Sequence, residues 1–359
     1  MSECCGPSPS CCGGAAEEYP YSEAPYLSGS VSTLFGEVPA VATGLTRADR
    51  LGTLRVRLGL RRSHYRIRPG LYAIGKPDDT TPVLVTANYK LSFDAVRSEL
   101  AGRDAWLLVL DTQGVNVWCA AGKGTFGTDE VVRQIRETGL ANIVGHFTVV
   151  LPQLGAPGVA AHEVRAATGF RVVYGPVRAA DLPAFLNSQM HATPEMRRVR
   201  FGLTDRLTVT GTELAIVRDP RVLAGAAALL LAATLGWLSF PTVLLALTAG
   251  LAGLLAGALL VPIALPWIPG RAFSLKGALA GTVAGLALLA TAGRTIDTAG
   301  SIALVLGVAT ISSFSAMNFT GASTYTSLSG VLWEMRRAVP LQLIAAISAL
   351  VALVVSALW

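Results

Sequence analysis

The chain has 359 residues, 52% hydrophobic and only 14% charged, with a formal net charge of +6. That apolar excess points away from a purely soluble protein. The positive charge is not gathered into a Lys/Arg tract with interleaved aromatics, so it reads as membrane topology and not as nucleic-acid binding.

The chain opens with MSECCGPSPSCCGG, which holds four of the five cysteines and no apolar core. It is not a secretory signal, and thiols crowded in this way do not form an extracellular disulfide framework. Its Pro/Ser/Gly composition predicts a disordered tail over residues 1–30. Cys4/Cys5 and Cys11/Cys12 are either passive members of that tail or vicinal thiols able to capture a soft metal ion.

Residues 31–216 read as an α/β head facing the cytoplasm. Four short apolar runs predict strands: PVLVTA (82–87), AWLLVLD (105–111), FTVVLP (147–152) and RVVYGP (171–176). Helices are predicted over about 92–101, 129–138 and 159–168, and in DLPAFLNS. Short apolar runs alternating with helices point to a parallel, Rossmann-like sheet. Ligands of such sheets sit outside the carboxyl ends of the strands. The segments following those ends are NYK, TQGVNVWCAAGKGT, QLGAPG and VRAAD. The Gly-rich stretch CAAGKGTFG does not match the G-x-x-x-x-G-K-[ST] phosphate loop, and small residues also let a planar ligand approach the backbone closely.

Cys119 is the one cysteine beyond the tail. A free cysteine is often a small buried hydrophobe. This one is predicted just past a strand end, in the first turn of a short helix, where helix dipole and unpaired N–H groups favour a thiolate. A nucleophile would want a base, and His64, His146, His162 and His191 form no recognisable dyad pattern. Ligation of a soft metal is the better of the two functional readings.

Residues 217–359 read as a membrane domain. Five segments are long enough to span a bilayer, near 222–240, 242–265, 275–292, 301–317 and 339–358. With the head inside, the inner flanks carry Arg218, Arg221, Arg271, Lys276, Arg336 and Arg337, and the outer loops carry Arg294. The C-terminus is then outside. Glu334 is assigned to a loop and Asp297 to an outer turn, which leaves the span cores without ionisable groups. The ladders Gly253/Gly257 and Gly277/Gly281/Gly285 suit close helix packing. This half is expected to act as scaffold.

The motif NVWCAAGK resembles the signature of the HgcA family, the corrinoid proteins of microbial mercury methylation. The likeness extends over DRLGTLRVRLGLRRSHYRIRPGLYAIGKPDDTTPVLVTANYKLSFD, QLGAPGVAAHEV, YGPVRAADLPAFL and the five-span tail, nearly the whole chain after residue 45. The head also resembles, more distantly, the corrinoid domain of the corrinoid iron–sulfur protein of the acetyl-CoA pathway.

The resemblance implies a base-off corrinoid beneath a short cap helix, with Cys119 as lower axial ligand of cobalt and catalytic residue. Asn116, Val117, Trp118, Ala120, Ala121, Gly122 and Lys123 fill the rest of the motif and would shape the helix and its contact with the ring. The resemblance, together with strand-end geometry, adds the loops at Thr86–Lys90, Gln153–Gly155 and Gly175–Arg178 as rim contacts, with Thr86, Asn88, Gln153, Gly155 and Gly175 as the residues expected there.

The implied reaction is methyl transfer to Hg(II), which a thiolate trans to a cobalt–methyl bond favours; the resemblance does not reach the tail thiols, for which a passive tail and Hg(II) capture both stay open. The cysteine spacing matches no ferredoxin cluster, so no iron–sulfur cluster is expected in this chain. Electrons would come from the ferredoxin-like partner HgcB, with two 4Fe–4S clusters, and the methyl group from an external donor. The expected location is the inner membrane. Competing readings are a membrane-tethered corrinoid carrier of one-carbon metabolism and a non-enzymatic metal-binding or export protein.

Overall fold

A computed structural model describes residues 24–60, 66–236, 239–292, 296–319 and 328–358. Cys4, Cys5, Cys11, Cys12, His64 and Arg294 lie outside the described residues. The chain divides into two compact units, one of residues 1–56 and 60–199, the other of residues 57–59 and 200–359.

The first unit begins with β1 (Leu27–Thr33) and β2 (Gly36–Val41), followed by α1 (Arg47–Arg57), β3 (Gly70–Ile74), β4 (Val83–Ala87), α2 (Lys90–Glu99) and β5 (Ala105–Leu110). Next come α3 (Val117–Lys123), α4 (Thr128–Glu137), β6 (Thr148–Leu151), α5 (Ala161–Thr168), β7 (Arg171–Tyr174) and α6 (Leu182–Asn187). β1 starts at Leu27, inside the stretch read as tail.

The seven strands form one sheet in the order β1-β2-β3-β5-β4-β6-β7. Here the structure corrects the parallel-sheet expectation. β5, β4, β6 and β7 run parallel, but β3 pairs antiparallel with β5, and β1 with β2. The sheet is mixed. A hairpin turn of only Leu34 and Phe35 forces β1 and β2 to be antiparallel, since a parallel return needs a crossover of a dozen or more residues.

Side-chain alternation buries both faces of the central strands. Val83, Val85 and Ala87 of β4 meet Leu108, Ala120, Val131 and Val164 on one face. Leu84 meets Phe93, Leu107, Val150 and Phe185 on the other. All six residues of β5 are buried, as expected for a strand covered on both sides.

A buried ion cluster joins α1 to α2. Lys90 Nζ pairs with Asp49 (3.4 Å) and Asp94, and Arg97 pairs with Asp49 (3.1 Å) and Asp94 (2.7 Å). Burial pushes the Asp49 carboxyl up, but hydrogen bonds from the Thr46 N–H and hydroxyl and the Arg97 charge outweigh it, holding the carboxyl below its usual range.

The second unit comprises α7 (Leu203–Leu214), α8 (Pro220–Thr234), α9 (Phe240–Leu255), α10 (Val261–Ala264), α11 (Phe273–Ala292), α12 (Thr298–Met317) and α13 (Leu328–Leu358). A π-helical stretch, Ala256–Leu260, makes α9 and α10 continuous. The division falls near residue 200 and not at 216. α7 is polar in composition, yet Val209 and Leu214 join the cluster of Ala256, Val261 and Phe273. Arg206 Nη1 of α7 donates to the carbonyls of Pro262 (2.8 Å) and Ile263 (3.1 Å).

Among the described residues, four helices are long and apolar enough to cross a membrane: Phe240–Ala264, Phe273–Thr291, Thr298–Met317 and Gly330–Ser356. The first predicted span contains a shorter apolar helix, the 15-residue Pro220–Thr234. Both glycine ladders lie against α12. A Cβ on Gly257, Gly277 or Gly281 would come within 2.4–2.6 Å of Ser312, the close backbone approach that small residues permit. Glu334 is not in a loop but on α13, buried, and it accepts the Ser274 N–H at 2.6 Å. It thereby satisfies an orphan donor in the first turn of α11.

Candidate functional site

α3 follows the carboxyl end of β5 and is bounded by strong local signals. Asn116, with extended backbone, accepts the Cys119 N–H on its side chain at 2.9 Å, the N-cap geometry that Asn favours. Gly124 ends the helix at φ +81°, a left-handed cap. The motif Asn thus starts the helix, and the glycine after the motif stops it.

Helical phase then sorts the motif. Val117, Ala120 and Ala121 are buried, at the i, i+3, i+4 spacing of one face. Trp118, Cys119, Gly122 and Lys123 are exposed. Cys119 is a free thiol.

A cavity of about 350 Å³ opens at the carboxyl ends of the parallel strands. Thr86 of β4, Val150 and Leu151 of β6, and Gly175 and Pro176 after β7 line it, together with Asn116, Val117 and Trp118 of the α3 segment. Its wall is mainly apolar, and Arg178 is the one charged residue lining it. Trp118, 39% exposed, places the residue immediately before Cys119 in the wall.

The expected rim residues divide. Thr86 and Gly175 line the cavity, as do Asn116, Val117 and Trp118; Asn88, Gln153, Gly155 and the rest of the motif, Cys119, Ala120, Ala121, Gly122 and Lys123, do not. Asn88 is 2% exposed, and its side chain is spent on the loop before α3. Its Nδ2 donates to Asp111 Oδ1, and its Oδ1 accepts from Thr112 N, Thr112 Oγ1 and Gly114 N at 2.9–3.0 Å.

Gln153 Oε1 accepts from Arg197 Nη1 at 3.2 Å. The loop Gln153–Gly158 presses on the α3 region. A Cβ on Gly155 would lie 2.5 Å from the Phe126 ring, and one on Gly158 2.3 Å from Phe126 O and 3.0 Å from Ala121 Cα. These glycines brace the helix.

Sequence reasoning missed the α2 face, where Leu91, Ser92, Ala95 and Val96 complete the wall. The signal was available, because the helix directly following a parallel strand packs beside that strand's carboxyl end.

An α/β unit with an apolar cavity at its strand ends and a capped helix bearing a thiol beside it has the form in which such folds hold ligands. Comparison with known proteins is specific about the kind. Residues 53–186 match the family of the CO dehydrogenase/acetyl-CoA synthase delta subunit. The gamma subunit of the acetyl-CoA decarbonylase/synthase complex of Methanopyrus kandleri is 38% identical over 125 residues, 34% of this chain and 27% of that protein. The corresponding subunit of Methanothermobacter thermautotrophicus is 35% identical over 123 residues (34% and 26%). That of Archaeoglobus fulgidus is 35% identical over 127 residues (35% and 27%). The chain spans about a quarter of the length of these relatives. The first unit is therefore similar to a CdhD-type domain.

Proposed function

We propose that the chain is a corrinoid-dependent methyltransferase that methylates Hg(II). The observation that carries this reading is Cys119, a soft donor held outside the core on a capped helix, next to a residue of the cavity wall. The site's chemistry suits a corrinoid. The apolar wall offers a surface on which the face of a planar macrocycle can lie, and Cys119 is a soft donor of the kind a cobalt ion accepts. The NVWCAAGK motif and the likeness to acetyl-CoA decarbonylase/synthase gamma subunits support the same cofactor.

A bound corrinoid would supply a cobalt-held methyl group, and Cys119 would offer its cobalt a soft anionic donor, chemistry suited to methyl transfer to Hg(II). The chain's own part is to hold that sulfur. Asn116 fixes the first turn of α3 through the Cys119 N–H, Gly155 and Gly158 brace the helix from behind, and Trp118 and Val117 supply apolar surface that excludes water. Reducing equivalents from a ferredoxin-like partner such as HgcB, and the methyl group itself, come from other chains. We read the second unit as an inner-membrane anchor with the head in the cytoplasm and α8 as a fifth crossing. The tail thiols Cys4, Cys5, Cys11 and Cys12 are candidates for Hg(II) capture.

The test is an anaerobic optical and EPR titration of the full chain with a corrinoid, wild type against Cys119→Ala. A base-off spectrum with a thiolate–cobalt signature that vanishes in the variant is expected. Identical spectra, or no binding by either protein, would refute the assignment. A second reading, a membrane-tethered methyl carrier of one-carbon metabolism, is favoured by the likeness to the gamma subunits. Product assays with Hg(II) against thiol and acetyl-CoA-pathway acceptors separate the two.

A further inference from the structure

Helix α1 carries a surface that the corrinoid reading does not use. Its inward face is Asp49, Gly52 and Val56, at the i, i+3, i+7 positions of one side. Asp49 is the only acidic residue of the helix, and it is consumed in the buried pairs with Lys90 and Arg97.

The opposite face has a different composition. Leu51 is 47% exposed and Leu54 52%, with Leu60 just beyond the helix at 43%. At 100° per residue, these two helical leucines form a stripe, with Arg47 in line with it, Arg50 on one flank and Arg55 on the other; all three arginines are exposed. No acidic side chain remains on that face. An apolar stripe edged on both sides by arginine, whose aliphatic stems can lie along apolar surface while the guanidinium reaches polar groups, is the pattern of a helix lying in a membrane interface. A solvated helix would instead mix both signs of charge.

We propose that the outer face of α1 docks on an anionic lipid surface, with Leu51 and Leu54 entering the headgroup boundary and Arg47, Arg50 and Arg55 pairing with lipid phosphates. The occupant follows from charge complementarity and from the chain's own four bilayer-length helices, which keep such a surface within reach. Each arginine near an anionic leaflet contributes about a fivefold factor to the affinity for that surface. The effect is screened as the Debye length shrinks to about 3 Å at molar salt.

The experiment uses the full chain in nanodiscs of zwitterionic lipid or of the same lipid with a third anionic phospholipid. Amide hydrogen exchange is followed over residues 47–57. Exchange is expected to slow about fivefold or more in the anionic discs and to recover at molar salt. In the triple variant Arg47→Gln/Arg50→Gln/Arg55→Gln the two disc types should give equal rates.

The double variant Leu51→Ser/Leu54→Ser should lose the residual protection in zwitterionic discs. All five positions are exposed, so unchanged exchange over β4 and β5 verifies the fold of each variant. Equal rates for wild type in both lipids would overturn the proposal, as would protection that appears only when a soluble protein is added. Neither outcome depends on the corrinoid assignment.

Discussion

Replacing Asn88 by alanine separates a ligand contact from a structural clamp. Asn88 Oδ1 accepts the backbone N–H groups of Thr112 and Gly114, at 3.0 and 2.9 Å, and both bonds are buried. The Thr112 hydroxyl has a second acceptor in Val115 O at 2.7 Å, so it keeps a partner. The substitution therefore orphans two buried backbone donors. Each costs about 1–3 kcal/mol, or about 2–6 kcal/mol for the loop that leads into α3.

That loss falls on local opening, because the loop is bounded by its own turn, Val115 N to Thr112 O at 3.0 Å. Amide exchange of Thr112 and Gly114 in the full chain should accelerate about 30-fold or more, since each 1.4 kcal/mol is a factor of ten. Exchange at the centre of β5 should change much less. Corrinoid affinity should fall as well, through a less ordered α3. Weaker corrinoid binding with wild-type exchange at Thr112 and Gly114 would refute this reasoning and return Asn88 to the cofactor rim.

Gly158→Ala should loosen α3 without touching the cavity wall. Its Cβ would meet backbone on both sides, Phe126 O and Ala121 Cα, and neither can rotate away. The overpacking costs about 1–3 kcal/mol, read as faster limited proteolysis within 116–127. Acid should release α1 from α2. The Asp49 pKa is lowered in the folded state, so its contribution is fully present above the ordinary carboxylate value of about 3.9 and is lost as pH falls through the folded value. Asp49→Asn should mimic this at neutral pH, costing about 3–5 kcal/mol because Lys90 and Arg97 stay buried with one acid fewer; thermal inactivation measures it. In the second unit, Gly277→Val places a branched side chain where a Cβ already lies 2.5 Å from Ser312 O and 2.7 Å from Ser313 Cα. α11 and α12 should separate, seen as loss of monodisperse protein in detergent, whereas Gly307→Ala, with open space around it, should be silent.

The four parallel strands were legible because each is a short apolar run with a turn signal at its end, and their observed limits differ from the expected ones by one or two residues. β1 was not legible. Its sequence LSGSVST is mostly exposed, and the hairpin is held by pairing with β2, which leaves no periodic apolar signature to read. α7 was read with the head, whereas its contacts group it with the second unit, and the reason is related. Its threonines and arginine look soluble, but Arg206 is buried because it caps the carbonyls of Pro262 and Ile263. At the strand ends, residue identity pointed to loops that border the cavity, yet it could not separate residues facing the cavity from those that brace the loops around it. Asn88 and Thr86 are two positions apart, and only Thr86 lines the cavity.

The same distinction bears on Cys119. A cysteine kept for packing is a buried one, and in α3 that task falls to Val117, Ala120 and Ala121. The phase of the helix is set by Asn116 and by the loop at Gly158, which approaches the Ala121 backbone so closely that a Cβ on Gly158 would lie 3.0 Å from Ala121 Cα. Cys119 is therefore held outside the core by contacts that its own side chain does not make. Its backbone N–H serves the cap whatever side chain it carries. Cys119→Ser should leave stability within about 0.5 kcal/mol of wild type, as for surface substitutions away from such features, while removing the soft donor. Unfolding of the full chain under identical detergent conditions, followed by circular dichroism, checks the first half of that statement, and corrinoid titration checks the second. A markedly destabilised serine variant would mean that the thiol packs after all, and the chemical role assigned to it would lose its physical basis.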